Sequence, residues 1–452
     1  MKGREMERFP KATRDQIKKN MEEAAVENAL VAFVDIDGQI LKGRPVDMSD
    51  GRIENLPLSG PSFTGGSVPG AGQGPEHPEM VAHIIPNSYT PPLPWLPDCV
   101  FFMSNLFVNG KPHPYDPRGN LERVLEHAKT DGYVFNLGVE PEHYIVTRDN
   151  EKKIQPWNPR GLDGASMPGY NLNAIVPMLP YLLTMKKNIK QLGWGPYQVD
   201  HEDGTSQCEI NWKYAHAITT CDRLMYFRYM ARHVCYQMLG DGVSVTFQAK
   251  PFPNLCGSGL HIHYHVADPS GKNLFLNEDD SQGLGLSEFA YHFLAGIIEH
   301  ADALCALANP THNCYERLHP KATPDSGNHW VPVKKLVSND NRTVMLRVPE
   351  AGHVEDRSPS AACNIYLLVA AYVAAGLDGV RNKLKAPVPI FESAFTTIRE
   401  AETLPKTLPL ALEALMNDTV VQEALGPIAE EFLKRKSVEH ENYKSEDAFS
   451  FF

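Results

Sequence analysis

Two carboxylates stand two positions apart in Glu140-Pro141-Glu142, inside the run YVFNLGVEPEHYIVT (133–147). On a strand, positions i and i+2 face the same way, so both acids point to one side and Val139 to the other. Like charges this close raise each other's pKa unless a cation lies between them. A second cluster, His201-Glu202-Asp203-Gly-Thr-Ser-Gln207-Cys-Glu209, packs three acids into a strand–turn–strand pattern. In GSGLHIHYH, His261, His263 and His265 share one face of a strand, next to glycines that let a ligand or a second backbone approach. Arg317, Arg342, Arg347 and Arg357 lie near strand ends, with Glu355 two residues before the last. Guanidinium groups suit planar oxyanions, carboxylate or phosphate. Taken singly, each cluster is equally well a solvated strand face, a surface turn or surface charge. Together they describe one chemistry. Hard oxygen ligands with an imidazole nitrogen suit Mg²⁺ or Mn²⁺, and arginines beside such ions suit a transferring phosphoryl group. No G-x-x-x-x-G-K-[ST] occurs, so the residues alone point to metal-dependent phosphoryl transfer at a nucleotide site of another kind.

The elements that must position these groups can be read from pattern. Charged amphipathic spacing predicts a helix over 11–30, and VAFVDIDGQI (31–40) a strand closed by the Asp37-Gly38 turn. Residues 59–77 read as a glycine-rich loop, 86–97 as a proline-extended segment, and 100–108 as a strand. GKPHPYDPRG (110–119) marks a domain boundary. Beyond it, helices are predicted over 120–132, 172–192, 213–239, 286–308, 360–384 and 408–436. Strands are predicted over 133–147, 195–212 (with a turn), 243–252, 259–268, 341–350 and 353–357. Strands often follow one another directly, which favours an α+β fold with a largely antiparallel sheet over a doubly wound one. There is no internal repeat.

Composition narrows the classes. Of 452 residues, 42% are hydrophobic and 22% charged, values of a globular chain rather than a disordered one. Lysine and arginine number 43 against 55 acids, a net charge of −12, which excludes nucleic-acid binding through a general basic surface. The eight cysteines form no C-x-x-C pair, which argues against a zinc ribbon. The start, MKGREMERFPKATRDQ, has no apolar core of a signal peptide, so a cytoplasmic location with free thiols is expected. The longest apolar run, Ile365–Ala375, falls short of the ~20 residues of a membrane span and reads as a buried helix.

Over almost its whole length the chain resembles the glutamine synthetase family. The resemblance is carried, in order, by FVDIDG, GVEPEHY, DHEDGTSQCEIN, AKPF with GSGLHIH, NPTHNCYERL, NRTVMLRVP and VEDRSP…NIYLLVAAYVAAGLDGV. It implies a small N-terminal β-grasp-like domain (1–115) and a large catalytic domain (116–452) that binds ATP and glutamate on a curved antiparallel sheet with flanking helices. Glu142, Glu202 and Glu209 would hold one divalent ion, and Glu140, His261 and Glu355 another, two to three ions of Mg²⁺ or Mn²⁺ in all. Gly257 would line the glutamate site, Arg317 would grip the α-carboxylate and Arg357 orient the γ-carboxylate. Arg342 and Arg347 would face the ATP phosphates with His263 nearby, and Asp35 of a neighbouring subunit would help position the amine. Assembly as a dodecamer of two hexameric rings, with sites between subunits, is implied as well.

Departures from the family pattern refine the expected activity. Ammonia-using members carry a flap glutamate where this chain has Thr323; Asp325 lies nearby. Cys256 stands where asparagine is common, His353 replaces a frequent arginine, and His312 and Glu316 alter the NPTVNSYKRL pattern. The metal set and the four arginines are spared. The resemblance is strongest to the γ-glutamylmethylamide synthetase branch. It implies a ligase that activates glutamate as γ-glutamyl phosphate and couples it to an alkylamine or arylamine, such as methylamine or aniline, in amine catabolism. An ammonia-using glutamine synthetase and a non-catalytic structural relative are the alternatives.

Overall fold

A computed structural model of one chain describes residues 11–49, 60–150, 153–164, 169–318 and 330–443. The first elements are α1 (Lys11–Glu23), β1 (Asn28–Val34), β2 (Leu41–Asp47), β3 (Ser62–Phe63), β4 (Met80–Ile84), β5 (Cys99–Val108) and β6 (Lys111–Pro112). They build a six-stranded sheet of order β2-β1-β5-β4-β3, with β6 beside β5. Its central pair, β1 and β5, is parallel, and the other pairs are antiparallel. Alternation in β1 and β5 gives the sheet two apolar faces. Val31, Phe33 and Phe102 pack under Ile17 and Met21 of α1. Ala32, Val34, Phe101 and Met103 join the main core on the other side.

The following elements are α2 (Pro117–Thr130), β7 (Val134–Arg148), β8 (Ile154–Pro156), α3 (Leu179–Gln191), β9 (Pro196–His201), β10 (Gln207–Trp212), β11 (Ala215–His216), α4 (Ala217–Leu239), β12 (Ser244–Thr246) and β13 (Leu260–Ala267). Then come α5 (Glu288–Glu299), α6 (Ala301–Ala308), α7 (His312–Arg317), β14 (Val337–Ser338), β15 (Leu346–Arg347), β16 (Val354–Asp356), α8 (Ile365–Asn382), α9 (Leu408–Asn417), α10 (Thr419–Leu425) and α11 (Pro427–Asn442). The strands form a curved ten-stranded sheet of order β14-β15-β16-β13-β7-β10-β9, with β8, β11 and β12 also on β7. Only β14–β15 is parallel. Helices α4 and α8 fill the core behind it, and the apolar run Ile365–Ala375 is buried apart from the half-buried Ala374. The fold is therefore α+β, as the succession of strands indicates.

Several boundaries differ from expectation, each for a local reason. The first helix stops at Glu23, and β2 was not foreseen because LKGRPVD carries Gly43 and Pro45; both suit the edge position β2 occupies. The described part of 59–77 holds β3 and a short turn at Gly65–Ser67 rather than loop alone. The strand expected over 243–252 ends at Thr246, ahead of Pro251 and Pro253. The helix expected over 286–308 breaks at His300, whose side chain turns to Asp418 and Asp378. That expected over 408–436 divides at Asp418, which caps α10, and at Gly426-Pro427. Over 341–350 only Leu346–Arg347 is strand, because the Asn341 side chain folds the chain back onto Thr343. Among the described residues no helix is long and apolar enough to cross a membrane. All eight cysteines are free thiols.

Candidate active site

Strand β7 sets the site. Leu137, Val139, Pro141 and His143 are buried, while Asn136, Gly138, Glu140 and Glu142 alternate with them along a cavity of about 1030 Å³. Register then aligns partners across the sheet. Glu142 lies opposite Glu209 on β10, and Glu209 opposite Asp200 on β9. Two residues along, Glu140 lies opposite His261 on β13. Two further, Gly138 pairs with His263, His263 with Glu355 on β16, and Glu355 with Arg347 on β15. Directly opposed residues sit ~4.5–5.5 Å apart, so three lateral rows gather acids and imidazoles on one concave face. Glu202 joins them from the tip of the β9–β10 hairpin, where its N–H donates to the Gln207 carbonyl at 2.9 Å.

A glycine loop brings in the arginine of α7. A Cβ on Gly257 would lie 2.5 Å from Arg317 Cγ, and one on Gly259 would lie 2.8 Å from Arg317 Nη2 and 3.0 Å from His261 Nε2. A side chain at either position would force Arg317 to move. Arg317 donates to the carbonyls of Ser358 (2.9 Å) and Arg357 (3.1 Å), which fixes its head at the cavity wall.

The acids are not equivalent electrostatically. Burial acts to raise Glu140, but His261 Nδ1 and His263 Nε2, each 3.3 Å away, hold it well below the usual carboxylate range. Glu355 is fully buried; Arg357 Nη1 (2.7 Å) and Arg347 Nη1 (2.6 Å), with the histidines, outweigh that burial and bring it down to about 2. At the other end, burial and then the charges of Glu142 and its acidic neighbours push Glu202 up to about 8. Burial and the same neighbours push Glu209 well above its ordinary value. Such a set fits a divalent cation. Donor atoms converge within 4.8 Å in three groups: Glu140, Glu209 and His261; Glu140, His263 and Glu355; Asp200, Glu202 and Glu209.

Glu140, Glu142, Glu202, Glu209, His261, His263, Gly257, Arg317, Arg342, Arg347 and Arg357 all line this one cavity, and Glu355 lies just behind it, 3.5 Å from His261 Nδ1. Glu142 Oε2 accepts from Gly259 N–H (2.8 Å) and Gln207 Nε2 (3.2 Å), and the Glu140 carboxylate lies 3.3 Å from both His261 Nδ1 and His263 Nε2. Asp35 is not brought to the site. At 5% exposure it accepts from Gly38 N–H at 3.1 Å and pairs with Lys42 Nζ at 3.5 Å, closing the β1–β2 turn. Asp35 therefore lies apart from this chain's own cavity, and the role expected for it belongs to the site of a neighbouring subunit. Cys256 lines the cavity with its thiol pushed well up by burial. His353 lies 5.3 Å from His263, ring to ring, and burial brings it down to about 4. Thr323 and Asp325 lie outside the described residues. Asp200 went unforeseen, although the i, i+2 rule applied to Glu140 and Glu142 also links Asp200 to Glu202.

Comparison with known proteins yields a consistent set. The family model described as glutamine synthetase, catalytic domain, matches residues 114–448. The chain is 35% identical over 430 residues to a glutamate–methylamine ligase of Methyloversatilis universalis, covering 94% of each chain. It is also 35% identical over 379 residues to a glutamine synthetase of Rhizobium meliloti, covering 82% of this chain and 84% of the relative. A solved structure described as a GmaS/ADP complex superposes with a TM-score of 0.87 at 32% identity, covering 96% of this chain and 98% of that one.

Proposed function

The chain belongs to the glutamine synthetase family and is a carbon–nitrogen ligase, and we propose that it couples glutamate to an amine other than ammonia at the expense of ATP. The observation that carries the ligase reading is the acidic row facing arginines across one cavity. A carboxylate does not react with an amine, because oxide leaves too poorly. The glutamate γ-carboxylate oxygen attacks the γ-phosphorus of ATP, and ADP leaves. The amine nitrogen then attacks the acyl carbon of γ-glutamyl phosphate, phosphate departs and the nitrogen loses a proton. Glu142, Glu202 and Glu209 would hold one divalent cation, and Glu140, His261 and Glu355 another. When bound, such cations offset the negative charge gathered as carboxylate meets phosphate. Arg317 holds the α-carboxylate and Arg357 orients the γ-carboxylate, while Arg342 and Arg347 take the phosphates beside His263.

Thr323 supports an acceptor other than ammonia, since no carboxylate stands there to deprotonate ammonium. An arylamine is already neutral at pH 7 and needs no such base. The similarity to a glutamate–methylamine ligase supports the same reading, and the glutamine synthetases of similar identity support the ammonia-using alternative. Two to three Mg²⁺ or Mn²⁺ ions, a dodecamer of two hexameric rings and a cytoplasmic location belong to this proposal. Phosphate release from ATP with glutamate and Mg²⁺, across methylamine, longer alkylamines, aniline and ammonium, tests it. Release stimulated most by an organic amine is expected. Stimulation by ammonium above all others would assign the alternative, and no stimulation by any amine would remove both.

A further inference from the structure

Asp163 stands outside the cavity lining, yet three groups of the acidic hairpin converge on it. Its Oδ2 faces His201 Nε2 at 2.8 Å and accepts from Ser206 N–H at 2.6 Å. Its carbonyl accepts from Thr205 Oγ1 at 3.0 Å. Asn158 anchors the residue from its own loop, Nδ2 donating to the Asp163 carbonyl at 3.0 Å. Across the imidazole, His201 Nδ1 donates to the Glu202 carbonyl at 2.6 Å. Asp163 and His201 are 3% and 1% exposed, and Ser206 holds a left-handed φ of +62° that the bond from its N–H helps maintain. The contacts flank Glu202 on both sides, residue 201 before it and residues 205 and 206 after it. The Glu202 side chain reaches the cavity, where donor atoms of Asp200, Glu202 and Glu209 lie within 4.8 Å of one another.

We infer that Asp163 and His201 form a positioning pair that fixes the backbone at Glu202 so that its carboxylate is presented to the cavity, and that divalent-cation affinity therefore depends on Asp163. This rests on the proposed function in one respect, the role of Glu202 as a cation-holding group. Groups that orient a ligating residue without touching the ion typically change affinity by about 10–100-fold.

The test is Mn²⁺ binding to the full chain without nucleotide, followed by the electron paramagnetic resonance signal of free Mn²⁺. Asp163→Asn is expected to weaken Mn²⁺ binding about tenfold while near-ultraviolet circular dichroism stays native. With Mg²⁺ in the assay, half-saturation should shift by the same factor and turnover recover at high Mg²⁺. His201→Gln serves as the second variant if Asp163→Asn does not fold, and Glu202→Gln as the reference. A folded variant that binds Mn²⁺ as the wild type does overturns the inference, even if it melts earlier. Failure of both variants to fold overturns it too, because the pair would then be an element of folding. If Glu202→Gln leaves Mn²⁺ binding unchanged, the cation role of Glu202 fails instead, and the inference with it.

Discussion

At the β13–β16 end of the cavity, Glu140 and Glu355 face His261, His263, Arg347 and Arg357. At the β9–β10 end, Glu202 and Glu209 have Asp200, Glu140 and Glu142 as neighbours, and Asn211 donates a neutral hydrogen bond to Glu209 at 2.8 Å. The first pair is held below its ordinary range and the second well above it. The protein supplies its own permanent cations to one end and withholds them from the other. A fully compensated row would have little to gain from Mg²⁺; an uncompensated one would lose stability or protonate. Splitting the row anchors the site through Glu355 and leaves Glu202 and Glu209 without protein cations; on the proposed function a cation from solution would complete them, coupling its binding to the shape of the hairpin.

The strongest way to break this contrast is to remove the acid that joins the ends. Glu142 pairs in register with Glu209, and its Oε1 lies 3.5 Å from His261 Nε2. Glu142→Ala is expected to lower turnover on the order of 10³-fold with the chain still folded, because the site depends on ions more than on packing. Near-normal turnover at ordinary Mg²⁺ would reject its place in the cation set.

A smaller effect separates the ends by sign. Arg357→Met leaves the fully buried Glu355 with one guanidinium instead of two and should destabilise the metal-free protein by about 3 kcal/mol. Glu202→Gln at pH 8.5 removes a buried like charge and should raise the melting temperature by roughly 1–2 °C. Thermal melts in EDTA read both, and two shifts of the same sign would abolish the distinction.

What could be read in the sequence follows the same division. Glu140, Glu142 and the histidines of GSGLHIHYH were legible because each set shares one strand, where period two fixes the face. The lateral pairing of Glu142 with Glu209, and of His263 with Glu355, depends on register between residues 67 and 92 positions apart in sequence; the family resemblance grouped only the first pair. Asp163 was illegible for the same reason: it acts on residues about 40 positions away through loop geometry with no periodicity. Asp35 was legible in FVDIDG only as the acid of a turn, where it accepts from Gly38 N–H and pairs with Lys42; spacing within one chain does not reach across a subunit interface.

The smallest predicted effect is a pH slope, and it isolates one side chain. In the folded, metal-free protein Glu202 keeps its proton up to about 8, whereas the unfolded chain releases it near the ordinary value of 4.5. Between those values the folded form binds more protons, so stability falls as pH rises through the window, by at most ~1.4 kcal/mol per unit. Glu355, held at about 2, behaves oppositely: its contribution is present above 4.5 and is lost only as pH falls toward 2, so it adds no slope near neutrality. His300, raised by Asp418 and Asp378 against its burial, also loses stability as pH rises past its folded value, so raw melts mix the two groups. The difference between wild type and Glu202→Gln removes the histidine. That difference should grow from pH 6.5 to 8.5 in EDTA and shrink when Mg²⁺ is added, since a cation keeps Glu202 charged at every pH in the range. Parallel melting curves for the two proteins in EDTA would mean that Glu202 ionises normally, and the uncompensated end would lose its physical basis.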